Sequence, residues 1–251
     1  MAETLLEAAK NFVPLIRANL DQIDSECQLP SDLAEDMGNK GLFGLYVPKS
    51  LGGPEADPIT AFPVVEEISR ADGSAGWCCF NGTALTAAVS RISVEAAKEL
   101  FGDPPTIRGS GSARSGGTAK VTDGGYVING RWNYLSGVDH AKCLFLNCDL
   151  VDDNGPVVSE DGSQVTKVAV VPVDSGKVIT NWNTMGMRGT ASNDAEYTDM
   201  FVPESHTYSR AAPAVHVGPL WNPQTAILLS WTLASANALG MARGAMDSFM
   251  E

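Results

Sequence analysis

Apolar positions in the first hundred residues recur at three- and four-place spacing, the signature of one buried helix face, with glycine and proline as punctuation. Leu5, Leu6, Ala9, Phe12, Val13, Ile16 and Leu20 predict a first helix. Pro30 and Ser31 open a second, carried by Leu33 and Met37 and ending at Gly38 to Gly41. After a turn-rich stretch from Pro48 to Pro58, residues Ala61, Phe62, Val65 and Ile68 mark a third helix with Pro58 near its first turn. Asp72 to Ala75 interrupts the pattern. A fourth, small-residue-rich helix is predicted from Trp77 to Ile92, and a short fifth opens at Ser93 and closes at Gly102. Residues 1–104 are thus expected to form an all-α N-terminal domain.

The pattern changes at Pro104-Pro105. Short β-branched runs bounded by Gly, Asp and Asn follow: Lys120 to Thr122, Tyr126 to Asn129, Cys143 to Leu150, Val165 to Val173, Val178 to Trp182 and Ala195 to Phe201. Turn sequences such as Asp123-Gly124-Gly125 and Asp153-Asn154-Gly155 separate them. An antiparallel β-sandwich or barrel is expected over 105–203. The strand–helix alternation of a doubly wound nucleotide fold is missing, so the fold class is α+β. A proline-rich connector (Pro203, Pro213, Pro219, Pro223) leads to a long helix from Gln224, whose predicted apolar stripe is Ile227, Trp231, Ala234, Ala238, Met241, Ala245 and Phe249. Such a stripe implies either packing on the N-terminal helices or missing bundle partners. Residues 204–251 are expected to be a connector and the first helix of an incomplete C-terminal helical domain.

Composition narrows the function. The 251 residues are 44% hydrophobic and 19% charged, and 17 basic against 30 acidic side chains leave a formal charge of −13. That sign opposes binding to phosphate backbones, so nucleic acid is excluded as a partner. No continuous apolar run reaches the roughly 20 residues of a membrane helix, and the N-terminus does not read as a signal peptide. A cytoplasmic protein with no membrane partner is expected. The five cysteines are an odd number, Cys78 and Cys79 are adjacent, and no C-x-x-C occurs; buried thiols are expected rather than disulfides. The three histidines, His140, His206 and His216, have no metal-ligand spacing, so no metal site is expected.

Three blocks hold the candidate chemistry. Gly109-Ser110-Gly111-Ser112-Ala113-Arg114 begins like a dinucleotide fingerprint, but Arg114 replaces the third glycine and a strand pattern follows. The low bulk from Ile107 to Gly117 would let backbone N–H groups approach a flat or anionic ligand, or it forms a flexible hairpin loop. In the second block, Trp132, Tyr134 and Ser136 alternate and would share one strand face, suited to an isoalloxazine ring or to ordinary sheet packing. The third block, Trp182 to Asp194, is unusually polar. Its Arg188 would neutralise an anion or pair with one of the many carboxylates.

Together, "DGGYVINGRWNYLSGVDHA", "WNTMGMRGTASND", "DMFVPE" and "ALGMARGAMDSFME" resemble the acyl-CoA dehydrogenase fold family over essentially the whole chain. Within it, "DGSAGWC", "GRWNYLSGVDHA" and "GMRGTASND" are most similar to the two-component flavin-dependent monooxygenases and hydroxylases. The resemblance implies an enzyme: an oxidoreductase that takes reduced FAD or FMN from a separate flavin reductase and uses O2 to hydroxylate a small, aromatic substrate. It implies a homo-oligomer, a tetramer in complete family members. The alternatives are an FAD-dependent acyl-CoA dehydrogenase and an inactive or interaction-only fragment, because family members continue well beyond residue 251 and carry their acid/base there. Carried over by position, Tyr134, Leu135 and Ser136 would flank the flavin, with the Ser136 hydroxyl near its reactive nitrogen. Ser110, Ser112 and Arg114 would belong to the neighbouring strand end, and Trp77 would meet the flavin or substrate. His140, inside a motif, is the candidate for proton transfer or substrate contact; the alternative is a hydrogen-bonded strand-end histidine.

Overall fold

The computed structural model describes residues 3–103, 106–210, 212–216 and 218–250. The boundary expected at Pro104-Pro105 lies outside the described residues. Helices α1 (Leu5–Ala18), α2 (Leu20–Glu26), α3 (Ser31–Asn39), α4 (Pro58–Ala71), α5 (Gly73–Thr86) and α6 (Val94–Phe101) precede the strands. The strands are β1 (Gly109–Thr122), β2 (Gly125–Leu135), β3 (Cys143–Asp152), β4 (Gly155–Pro156), β5 (Thr166–Pro172), β6 (Lys177–Ile179), β7 (Asn193–Pro203) and β8 (Thr207–Tyr208), followed by α7 (Pro223–Met250).

Helix starts follow capping chemistry. The Thr4 hydroxyl accepts from the Glu7 N–H while the Glu7 carboxylate reaches back to Thr4, a reciprocal cap on α1. Asp72, predicted only as part of an interruption, is the N-cap of α5: its carboxylate accepts from the Ala75 N–H at 2.8 Å. The fourth helix therefore starts earlier than Trp77, and it ends at Thr86 in a 3-10 turn over Ala87–Arg91. The first predicted helix breaks at Asn19 into α1 and α2. Ser93 caps α6, as its position predicts.

The sheet runs β6-β7-β2-β1-β3-β5-β8, with β4 on β3. One pairing corrects the antiparallel expectation: β1 and β3 run parallel, with Gly109 opposite Cys143 and Ser112 opposite Leu146. The cause is topological. The segment 136–142 carries the chain from the end of β2 past the start of β1 to its far edge, so β3 returns in the direction of β1. β3 is buried on both faces, which is why Cys143 to Leu146 reads as an unbroken apolar run. Leu144, Leu146 and Cys148 join a cluster with Trp132, Leu135 and Ala195. Cys143 and Phe145 turn the other way, to meet Val89, Ile92, Phe101 and Ile107 of the helical side.

The glycine/serine stretch is not a loop; it is the first half of β1. A Cβ on Gly111 would lie 2.4 Å from the Phe145 carbonyl oxygen, and one on Gly117 would lie 2.8 Å from the Trp132 ring. The small residues admit the sheet's own backbone and aromatics.

α7 packs against α4 and α5, but not through the predicted stripe. Ile227, Trp231 and Phe249 are 58%, 64% and 92% exposed, while Leu233, Ala236, Asn237 and Gly240 are buried. The docked face is glycine-lined because the helices approach backbone to backbone: a Cβ at Gly240 would sit 2.3 Å from the Glu66 carbonyl oxygen, and at Gly244 2.5 Å from that of Arg70. Across this contact the Asn237 amide donates to the Ser69 hydroxyl at 2.9 Å and the Arg70 guanidinium to Asp247 at 2.5 Å. By length and composition Gln224–Met250 also qualifies as a membrane span, with an 18-residue window of mean hydropathy 1.3. The mean is carried by Ile227, Leu228, Leu229, Leu233, Leu239 and the alanines, although polar residues interrupt every continuous apolar run.

Replacing Gly240 with valine should destabilise the fold by about 1–3 kcal/mol through overpacking, whereas Ala242→Val on the exposed side should change it by about 0.5 kcal/mol or less. Urea unfolding of the two variants is the check, and equal midpoints would refute the backbone contact.

Candidate functional site

β2 loses its regular alternation at its end. Trp132 is fully buried and donates its indole N–H to the Asn147 carbonyl at 2.8 Å. The register with β7 then shifts between Trp132 and Leu135, and Tyr134 adopts φ +60°, a strained left-handed conformation for a bulky residue. Trp132, Tyr134 and Ser136 therefore do not share a face. Tyr134 stands out, 64% exposed, with its ring edge-on to Trp182 at 6.2 Å, and Leu135 turns into the core.

Ser136 is buried in a row of hydroxyls. The Trp77 indole N–H on α5 donates to its Oγ at 3.0 Å, and that oxygen lies 2.8 Å from Ser192 Oγ. Ser192 Oγ is 2.7 Å from Thr190 Oγ1, which donates to the Met187 carbonyl at 2.9 Å. The backbone joins the same segments, with the Gly137 N–H donating to the Thr190 carbonyl at 2.7 Å. Tyr134, Met187 (φ +56°) and Ala191 (φ +43°) put three left-handed non-glycine residues around the row. Such clustering is characteristic of positions where function overrides local preference.

Arg188 pins the loop that supplies Thr190 and Ser192. Its guanidinium donates to the Asp24 carbonyl and the Thr184 carbonyl, each at 2.8 Å, and sits 3.3 Å from the Asp24 carboxylate. Of the two readings of this arginine, pairing is the one seen. Beside the row, a single oxygen of Asp194 accepts from Arg131 (2.7 and 2.9 Å), Asn133 (2.7 Å) and Asn181 (2.9 Å). Burial works against its charge, but these donors outweigh it and hold the carboxyl below its usual range.

Among the other predicted residues, Ser110 is fully buried and braces the turn by donating to the Ser136 carbonyl at 2.8 Å. Ser112 accepts from the Arg114 N–H at 3.3 Å, and Arg114 is exposed where β1 bulges between Ser112 and Gly117. His140 lies half-buried against Phe43, ring centroids 4.6 Å apart, with no side-chain hydrogen bond to the hydroxyl row. Burial, helped by the Arg108 guanidinium, pushes its pKa down to about 4. Burial also raises the Cys78 and Cys79 thiols, which are inert structural groups. Two surface clefts lie apart from the row, one beside Lys40 and Gly53, the other beside Arg70 and Met241.

Comparison with known proteins places this geometry. Residues 2–104 match the family model "Acyl-CoA dehydrogenase, N-terminal domain". The oxygenase subunit HsaA of a flavin-dependent monooxygenase from Rhodococcus jostii (strain RHA1) is 31% identical over 96% of this chain and 63% of its own length. The crystal structure of 3-HSA hydroxylase from Rhodococcus sp. RHA1 superposes with a TM-score of 0.86 at 28% identity, over 96% of this chain and 63% of that one. XiaF from Streptomyces sp., solved with FADH2 and glycerol, gives 0.83 at 29%, over 96% of this chain and 61% of that one. Residues 2–104 thus carry the N-terminal domain of the acyl-CoA dehydrogenase family, and nearly the whole chain is similar to these flavin-dependent oxygenases. It spans a little under two thirds of the length of these relatives.

The residues at this site fit a flavin of the kind with which XiaF was solved. Ser136 Oγ, with one donor and one neighbouring hydroxyl, keeps a hydrogen-bonding site free, and the Tyr134–Trp182 pair supplies exposed aromatic surface next to it. Ser192 and Thr190 were not singled out from sequence. The polar density of Trp182 to Asp194 was their only trace, because nothing local says that this loop meets β2.

His140 yields a pH prediction. An unfolded histidine takes up its proton near pH 6.5 and this one only near 4, so the unfolded state binds more protons in between and stability falls as pH drops through that window. With partial exposure allowed for, about 1–3 kcal/mol should be lost. The loss should vanish in His140→Gln; parallel stability curves from pH 7 to 4 would contradict it.

Proposed function

We propose that this chain is the flavin-binding part of a two-component monooxygenase that hydroxylates a small aromatic substrate with O2. The reading rests on one observation: the hydroxyl row ending at Ser136 lies beside the exposed Tyr134–Trp182 pair where helices meet sheet, in a chain similar end to end to a flavin-dependent oxygenase subunit. Ser136 would give the ring edge its hydrogen bond, Trp77 would hold that hydroxyl in place, and Tyr134 would cover an aromatic face. Arg114 and Ser112, at the β1 bulge, would meet the anionic part of FAD or FMN. Ser110 and Leu135 would act from behind, as brace and core, with only their backbone near a ligand. His140, neutral at pH 7, would serve as an uncharged contact rather than as a cationic acid.

When bound, reduced flavin supplies two electrons to O2, so that one oxygen atom enters the substrate and the other leaves as water. The chain's own part is to hold and orient the ring and keep water from it. A flavin reductase would deliver the reduced cofactor, in the cytoplasm, to a homo-oligomer.

Anaerobic titration with reduced FAD or FMN, then exposure to 18O2 with a panel of phenols, tests this. One labelled oxygen in the product supports it. Bleaching of oxidised flavin by an acyl-CoA thioester, without O2 incorporation, would replace it with a dehydrogenase. Ser136→Ala should weaken reduced-flavin binding by roughly tenfold, the worth of one hydrogen bond; unchanged affinity would remove Ser136 from the site.

A further inference from the structure

The polarity of the hydroxyl row can be worked out from its two ends. An indole nitrogen only donates, and a carbonyl oxygen only accepts. Trp77 at one end therefore gives its hydrogen to Ser136, and the Met187 carbonyl at the other receives that of Thr190. Each hydroxyl between has a single hydrogen, so every bond is formed only if Ser136 donates to Ser192 and Ser192 to Thr190. In this arrangement the Ser136 hydrogen points inward, and its free lone pair can only accept.

The row can also reverse. The Met187 carbonyl receives two further donors, the Trp182 indole N–H at 3.0 Å and the Thr190 N–H at 3.3 Å. Of its three donors only the Thr190 hydroxyl can turn away. If it does, Thr190 donates to Ser192 and Ser192 to Ser136, and the Ser136 hydrogen is released towards a ligand. Reversal gives up the Thr190–Met187 bond.

We infer that Thr190 and Ser192 are positioning residues that set Ser136 to receive a hydrogen from its ligand, and so select a ring whose edge nitrogen carries N–H over one whose edge nitrogen carries a lone pair. The inference rests on the flavin reading above, where these two edges are those of the reduced and the oxidised ring. The resting polarity should favour the reduced form by roughly threefold to tenfold, the worth of one neutral hydrogen bond.

The test uses the whole chain and two readouts. In Thr190→Val the row loses its terminal acceptor, so Ser192 turns to donate to Ser136. The ratio of oxidised to reduced FAD dissociation constants, from anaerobic titration, should fall by roughly threefold to tenfold. Thr190→Ser keeps the hydroxyl and should leave the ratio at its wild-type value; Ser192→Ala should lower it like Thr190→Val. Without flavin, the Trp77 indole N–H resonance, assigned with Trp77→Phe, should move upfield in Thr190→Val but not in Thr190→Ser, because a Ser136 oxygen that no longer passes its hydrogen on is a weaker acceptor. A ratio that stays put in Thr190→Val, or moves equally in both Thr190 variants, overturns the inference. If wild-type chain binds neither flavin form, the flavin reading falls and takes the selection with it; the indole shift then shows whether the polarity alone survives.

Discussion

The site depends on one constraint: the turn that ends β2 and the turn that begins β7 must meet over the start of α5. The 2.7 Å bond from the Gly137 N–H to the Thr190 carbonyl joins the turns, and Arg188 fastens the second to the carbonyl that precedes Ser25 in α2. Gly189 makes the contact sterically possible, since a Cβ there would lie 2.2 Å from the Ile23 side chain and 3.0 Å from that of Ser74. Three remote stretches of sequence thereby become one surface. The strained backbones of Tyr134, Met187 and Ala191 follow from that meeting, as each redirects its chain within a single residue.

How much of this could be read from the sequence depends on range. Helices with a clear 3.6-residue period and a polar cap, such as α4 after Asp57 and α6 after Ser93, are local events, and their limits were legible. Strands bounded by turn chemistry were legible too, though not their neighbours: nothing in Gly109 to Gly117 announces that β3 will run parallel beside it. The period-2 rule placed Tyr134 with Trp132, and a bulge undid it, because register is settled by the partner strand rather than by the strand itself. Ser136 was found through a motif, whereas Ser192 and Thr190 acquire a role only once β7's lead-in folds against it.

α7 illustrates the same limit on a larger scale. Apolarity alone selected Ile227, Trp231 and Phe249 as the stripe that calls for partners, yet the face docked on α4 and α5 is the one with least side chain. Close helix approach gains dispersion contacts along two backbones and permits the buried Asn237–Ser69 hydrogen bond, which a leucine-lined interface would hold apart. The large apolar residues are left exposed on the outer side.

Two polar networks stand side by side at the site, and their chemistry differs in one respect that decides what each can do. Around Asp194, every contact to the carboxylate comes from a guanidinium or amide N–H, which only donates, and the carboxylate only accepts, so the network has a single arrangement and can only fix β2 against β7 and β6. The row from Trp77 to Met187 is anchored by an indole N–H at one end, but at the other it is held by a hydroxyl that can turn away, and it is made of hydroxyls in between, which donate and accept with the same atom. It therefore has two arrangements that differ by one hydrogen bond, close enough in energy for a ligand's own hydrogen to choose between them. A rigid clamp placed next to a reversible row fixes the backbones around the site while leaving its hydrogen-bonding sense to be set by what binds there.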